Sequence, residues 1–252
     1  MMLSTFAYAA LAATAALAGF VDSVAGGGGL ITVPALLYAG LPPALMLGTN
    51  KAQSVCGTAL AAFRYHRAGL FRLRPNLPLA GFVLAGAAAG AWTIQHIDAG
   101  VLRLLIPLLL IAVALYTLLS PRMHDHDGDA ALGPRGYWPV GSGIGFYDGF
   151  FGPGTGQFFA ITLVSLRGLG LTRATGLTKL LNLTSNLASV VVFALGGRIA
   201  WGLAAAMACG AMGGAWLGSH FATRHGAQVI RPMLIVASLA LTANLVRQWF
   251  AG

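Results

Sequence analysis

The sequence predicts an all-α integral membrane protein built as two inverted repeats. Each repeat is a glycine-broken helical hairpin, re-entrant in one reading, followed by three transmembrane helices. Composition, segment length and an internal repeat carry this. The chain has 252 residues, 57% hydrophobic and 8% charged, whereas a soluble domain carries about a quarter charged residues. Apolar runs at 3–21, 77–96, 100–119, 203–222 and 229–246 each approach the ~20 residues that cross a bilayer as a helix.

The repeat is read directly from matching residues. Gly19, Phe20 and Asp22 match Gly145, Phe146 and Asp148; Gly48 and Lys51 match Gly176 and Lys179; Gly86, Gly90, Trp92 and His96 match Gly210, Gly214, Trp216 and His220. Self-similarity at a fixed offset marks a duplicated architecture. The division is therefore a first membrane repeat over 1–120, a cytoplasmic connector over 121–138 and a second repeat over 139–252.

In the first repeat the hairpin is placed at 3–40 and the crossings at 43–63, 77–96 and 100–119. In the second the hairpin is placed at 139–171 and the crossings at 175–195, 203–222 and 229–248. Three crossings after a hairpin that returns to its own side give an odd total, which turns the second copy upside down. Charge agrees. With loop 63–74 in the cytoplasm, ten arginines fall on that side and only Arg103, Arg198 and Arg247 on the other, as the positive-inside rule requires. Both termini are then extracytoplasmic. No Lys or Arg precedes Lys51, so the Ala-rich N-terminus lacks a signal peptide's basic region and reads as a retained span.

The net charge of +9 is scattered through short loops, which points to topology rather than nucleic acid. Cys56 and Cys209 show no ligand spacing and read as small buried hydrophobes. Trp92, Trp216 and Trp249 read as interfacial anchors, and His96 and His220 as interfacial or packing residues. The HDHDGD run at 124–129 reads as a solvated loop in preference to a weak metal site. No nucleotide-binding GxxxxGK[ST], GxSxG or metal-ligand cluster is present, so neither a cofactor nor an enzyme activity is implied.

The unusual residues are the intramembrane charges. Asp22 is the only charge before Lys51, its counterpart is Asp148, and the chain's two lysines are the matched pair Lys51 and Lys179. A charge at the bilayer centre costs at least ~2.5–3.5 kcal/mol on insertion scales. Beside the aspartates lie the glycine breaks, Gly26, Gly27, Gly28 and Gly29 in VDSVAGGGGL and Gly154, Thr155 and Gly156 in GPGTG. Broken helices survive at membrane depth only against protein or a water-filled cavity, and bare backbone amides favour an anion. Each lysine helix adds a polar stripe: Asn50, Ser54, Gly57 and Thr58 beside Lys51, and Thr178, Asn182, Ser185 and Asn186 beside Lys179. Gln53 joins the first set, whereas Ser185, Ser189 and Thr58 read as interhelical hydrogen-bonding groups. For the lysines the competing reading is a closed structural ion pair with Asp22 or Asp148. Glycines at 86–90 and 210–214 read as close helix packing.

GFVDSVAGGGGLITVPALL with GTNKAQS, then GFYDGFFGPGTGQF with GLTKLLNLTSN, resembles the sulfite exporter TauE/SafE family of membrane permeases, from Gly19 to Arg247. The resemblance implies transport of sulfite, sulfonates or related anions across a prokaryotic cytoplasmic membrane. It places substrate contacts on Gly26–Gly29, Asn50, Lys51, Gln53, Gly152–Gly156, Thr178, Lys179 and Asn182. The expected partners are a small anionic substrate, the lipid bilayer and a coupling proton or cation, with Asp22 and Asp148 as ion-pair or coupling groups. A passive anion channel and a non-transporting assembly factor are the alternatives. Substrate, direction and oligomeric state, a homodimer included, stay open.

Overall fold

The computed structural model describes residues 4–119 and 125–226. Among them every regular element is a helix: α1 (Thr5–Ala25), α2 (Gly29–Tyr38), α3 (Pro43–Arg67), α4 (Leu73–Gln95), α5 (Ala99–Leu119), α6 (Trp138–Phe150), α7 (Thr155–Arg167), α8 (Leu171–Leu195) and α9 (Trp201–His225). The expected crossing at 229–248, with Trp249 and Arg247, lies outside the described residues. Corresponding helices recur close to the spacing of the sequence repeat, with α4 and α9 departing most, since their matched glycines Gly86 and Gly210 are 124 apart. Starts of α2 and α7 are 126 residues apart, those of α3 and α8 are 128 apart, and those of α4 and α9 are also 128 apart.

Glycine and proline set the boundaries. α1 stops at Gly26, whose φ of 68° lies in the left-handed region that a Cβ disfavours. α6 stops before Gly152, and Gly154 at φ 84° leads into α7. Pro43 opens α3 at a position where its missing N–H costs nothing.

Packing is cross-linked between the halves. α1 lies along α9 and α6 along α4, while α3 and α8 pack together in the middle. Glycines bring these helices into backbone contact. A Cβ at Gly86 or Gly90 would strike the carbonyls of Ser142 and Phe146 on α6, and one at Gly210 or Gly214 those of Ala12 and Ala16 on α1. Small residues at such crossings are the means by which helices associate where lipid removes the hydrophobic drive.

The polarity is inside out. Asn50, Lys51, Gln53, Thr178, Lys179, Asn182 and Asn186 are buried, whereas Phe82, Trp92, Leu187, Val191, Trp201 and Leu217 are exposed. α1, α4 and α8 are each long and apolar enough to cross a membrane. α3 is as long as α8, yet its GTNKAQS stretch faces protein. Cys209 is exposed and Cys56 half-buried, contrary to the expectation of two buried thiols; an outward Cys on α9 meets an apolar surface all the same. Trp216 sits within α9 rather than at its end, half-exposed, with the Arg64 guanidinium 5.4 Å above its ring.

The described part of the connector, from Asp125, is an exposed loop that is also tied to the second half. Asp127 accepts the Gly170 N–H at 2.8 Å and pairs with Arg173, while Asp125 accepts the Thr172 N–H at 2.8 Å. Both carboxylates thus satisfy amides at the start of α8, where the helix dipole favours negative charge. Tyr137 is fully buried and its hydroxyl lies 2.6 Å from that of Thr162 on α7, so the end of the connector belongs to the packed second half.

Candidate functional site

The two glycine breaks meet. A Cβ at Gly26 would lie 2.7 Å from the Gly156 backbone, and one at Gly29 would lie 3.2 Å from Pro153. Only bare backbone allows this crossing. Asp22 holds its own break: Oδ1 accepts the N–H of Gly27 at 3.1 Å and of Gly28 at 3.4 Å. The second break is held differently, by the Tyr147 hydroxyl donating to the Pro153 carbonyl at 2.7 Å. The equivalence of Tyr147 with Val21 hides this difference from a comparison of the halves.

The four intramembrane charges pair across the repeat. Lys51 of the first half donates to Asp148 Oδ1 of the second at 2.6 Å, with both side chains at most 5% exposed. Lys179 of the second half lies 3.5 Å from Asp22 Oδ2 and donates to the Asp22 backbone carbonyl. The pairs are unequal. Lys179 is wholly buried, while the Asp22 side chain remains 23% exposed. Ser185, read from sequence as an interhelical group, does bridge helices, donating from α8 to Asp148 Oδ2 on α6, whereas Ser189 and Thr58, read the same way, donate to carbonyls of their own helices.

Between the breaks lies a cavity of about 50 Å³, room for a few waters or one small ion. Lys51, Asp22 and Asp148 line it, with Gly27, Gly28 and Gly29 from one break and Gly154, Thr155 and Gly156 from the other. Asn50, Gln53 and Asn182 line it too, as do Asn186 and Gly152. Of the residues singled out from sequence, Gly26, Thr178 and Lys179 are not in its wall. Gly26 forms the crossing behind it, and Lys179 holds Asp22 from the far side.

Hydrogen bonding orients the amides. Asn50 Oδ1 accepts from Thr32 at 2.5 Å and from Gln53 Nε2 at 3.2 Å, so its Nδ2 hydrogens are the part left for a ligand. Thr32, on α2 and fully buried, was not visible as a site residue, because a lone Thr in an apolar helix carries no signal. The buried oxygens Gln53 Oε1, Asn182 Oδ1 and Thr178 Oγ1 have no protein partner. Buried polar groups need partners, and these amide oxygens are acceptors, so a hydrogen-bond donor in the cavity such as water supplies them to Gln53 and Asn182. The Thr155 hydroxyl donates to the Gly152 carbonyl at 2.6 Å, closing the second break on itself.

A polar cavity between two broken helices, inside an apolar helical shell, is what a carrier requires. Residues 11–245 match the family model described as "Sulfite exporter TauE/SafE". The chain belongs to the TauE/SafE family. Among curated TauE/SafE-like relatives it is 44% identical to "Probable membrane transporter protein ORF9" of Sinorhizobium sp, over 91% of this chain and 88% of the relative. It is 41% identical to a "Probable membrane transporter protein" of Haemophilus influenzae, covering 92% of both chains. It is 39% identical to "Probable membrane transporter protein YfcA" of Escherichia coli K12, over 97% of this chain and 91% of that one. No solved structure matches the chain at a significant level. The family's description and the relatives' names are those of membrane transporters and not of enzymes, and the three apolar helices of this chain agree with a membrane protein.

Proposed function

We propose that this chain is a secondary transporter, a permease that moves a small oxyanion of the sulfite or sulfonate class across the cytoplasmic membrane of a prokaryote by alternating access. One observation carries the reading: the Lys51 ammonium borders a small buried cavity. The Asn50 amide and residues of both glycine breaks line the same cavity, with the first-break amides of Gly27 and Gly28 already held by Asp22. An anion there exchanges its water for a fixed ammonium and oriented N–H groups, including those that begin α2 and α7. The family's description as sulfite exporters and the relatives' names as transporters support the class.

Lys51 is held by Asp148 and Lys179 by Asp22, so the four charges balance one another. The anion takes over Lys51; Lys179 stays behind Asp22 and keeps the first break in shape. The two repeats are inverted about the cavity, 1–120 against 139–252, with the connector cytoplasmic. Such a pair presents the same wall to either side when one bundle rocks against the other.

The test is transport by the purified chain in liposomes, with sulfite, thiosulfate, sulfoacetate and methanesulfonate offered in turn. The unaltered chain gives saturable uptake of at least one, and Lys51→Ala lowers it to the level of empty vesicles. Full activity in Lys51→Ala removes the central role of the ammonium. Thermal stabilisation by the same anions gives a second reading, since a ligand that binds the folded state raises the melting point with its concentration.

A further inference from the structure

Resting on the anion reading above, the geometry points to Asp148 as a proton site: each anion that takes Lys51 brings one proton onto the Asp148 carboxylate, making the carrier an anion–proton symporter. The protein's own charges at the site are two ammonium groups and two carboxylates, paired Lys51 with Asp148 and Lys179 with Asp22. They sum to zero. When an anion draws the Lys51 ammonium away, Asp148 is left 5% exposed without a counter-charge, and a buried carboxylate in that position binds a proton.

Among the described residues, the surroundings leave no other group to balance it. Ser185 on α8 reaches Asp148 Oδ2 but carries no charge. Tyr147, its neighbour on α6, donates to the Pro153 carbonyl. α4, packed along α6, bears no ionisable side chain in its buried stretch from Leu79 to Ile94. The one ionisable residue of α7 is Arg167 at its far end. Lys179, on α8, is committed to Asp22 through both its carboxylate and its carbonyl.

Asp22 is the less suited of the two carboxylates. Its Oδ1 holds the Gly27 and Gly28 amides, its Oδ2 faces Lys179, and neither partner changes when Lys51 moves. The step balances. A proton from solution adds to Asp148 and the Lys51 ammonium keeps its own protons, while its hydrogen bond passes from Asp148 Oδ1 to an anion oxygen. Release reverses each part, so a monovalent anion crosses with no net charge.

Calorimetric titration of the full chain in detergent with methanesulfonate and sulfoacetate, in two buffers of different ionisation heat, counts protons taken up per anion. Both probes stay ionised near neutral pH and carry no proton of their own. One proton per anion is expected, with affinity falling up to tenfold per pH unit as pH rises. Asp148→Glu should keep the uptake, and Asp148→Asn should bind with none and with an affinity flat in pH. If Asp148→Asn does not fold, the proton count and pH slope of the unaltered chain decide. Anion binding without proton uptake, or uptake that persists in Asp148→Asn, overturns the proton site and leaves the anion reading standing. Absence of binding by both probes extends the titration to thiosulfate and sulfite, and absence of binding by all four overturns both readings.

Discussion

At the scale of single residues, the Lys51–Asp148 pair serves both stability and binding, and the two roles separate by substitution. Removing one partner of a buried pair leaves the other uncompensated, a loss of about 3–5 kcal/mol, while replacing both by apolar side chains is often neutral or stabilising. Lys51→Ala should therefore lower the melting point in detergent markedly. Lys51→Met combined with Asp148→Leu should return it to within a few degrees of the unaltered chain. The double variant should still bind no anion. Recovered transport together with recovered stability would mean the pair is structural only. The sequence made the four charges conspicuous, since a matched pair of lysines and a matched pair of aspartates stand out in an apolar chain. It left open which lysine meets which aspartate: within each half the lysine follows its own aspartate at similar spacing, and only the packing shows the partners exchanged. Of the three hydroxyls read as interhelical groups, Ser185 bridges α8 to α6 through Asp148, while Ser189 and Thr58 turn back on their own helices, a choice that a polar stripe leaves open.

At the scale of elements, the breaks are legible because glycine punctuates helices, and nearly every helix begins or ends within a few residues of its sequence-predicted position. What the glycines do was only half legible. A run of glycines signals a break, but that Gly26 and Gly156 are pressed against one another depends on how two distant hairpins meet. Two glycines at positive φ differ in surroundings, and Gly26, at ψ 130°, also lies outside the αL well. Gly69, at φ 75°, has nothing within 4 Å of an added Cβ, while Gly26, at φ 68°, has the Gly156 backbone 2.7 Å away. Gly69→Ala should cost only the left-handed backbone, about 1–2 kcal/mol. Gly26→Ala adds overpacking of about 1–3 kcal/mol and should also abolish anion-dependent stabilisation, because it pushes the two breaks apart. Equal losses in the two variants, read from thermal melts in detergent, would show that the crossing is loose.

At the scale of the whole molecule, the arrangement of polar groups is reversed relative to a water-soluble protein, with amides and ammonium groups inside and Leu, Phe and Trp outside. That reversal was foreseeable from composition alone. The orientation of the two halves in the bilayer rests on charge: ten arginines assigned to one side and three to the other. Loops 63–74 and 195–202 are equivalent in the repeat yet unequal in charge, so they decide between inverted and parallel copies. Arg67 at the end of α3 and Arg198 between α8 and α9 are both exposed, which makes them suitable reporters. With Cys56 and Cys209 replaced by serine, Arg67→Cys and Arg198→Cys should react with a membrane-impermeant maleimide from opposite sides. In whole cells Arg198→Cys should label and Arg67→Cys should label only after the membrane is opened. Labelling of both from the outside, or protection of both, would place the equivalent loops on one face. The pairing of Lys51 with Asp148 and Lys179 with Asp22 would then join two parallel copies, and a single wall presented alternately to both sides would no longer follow from the duplication.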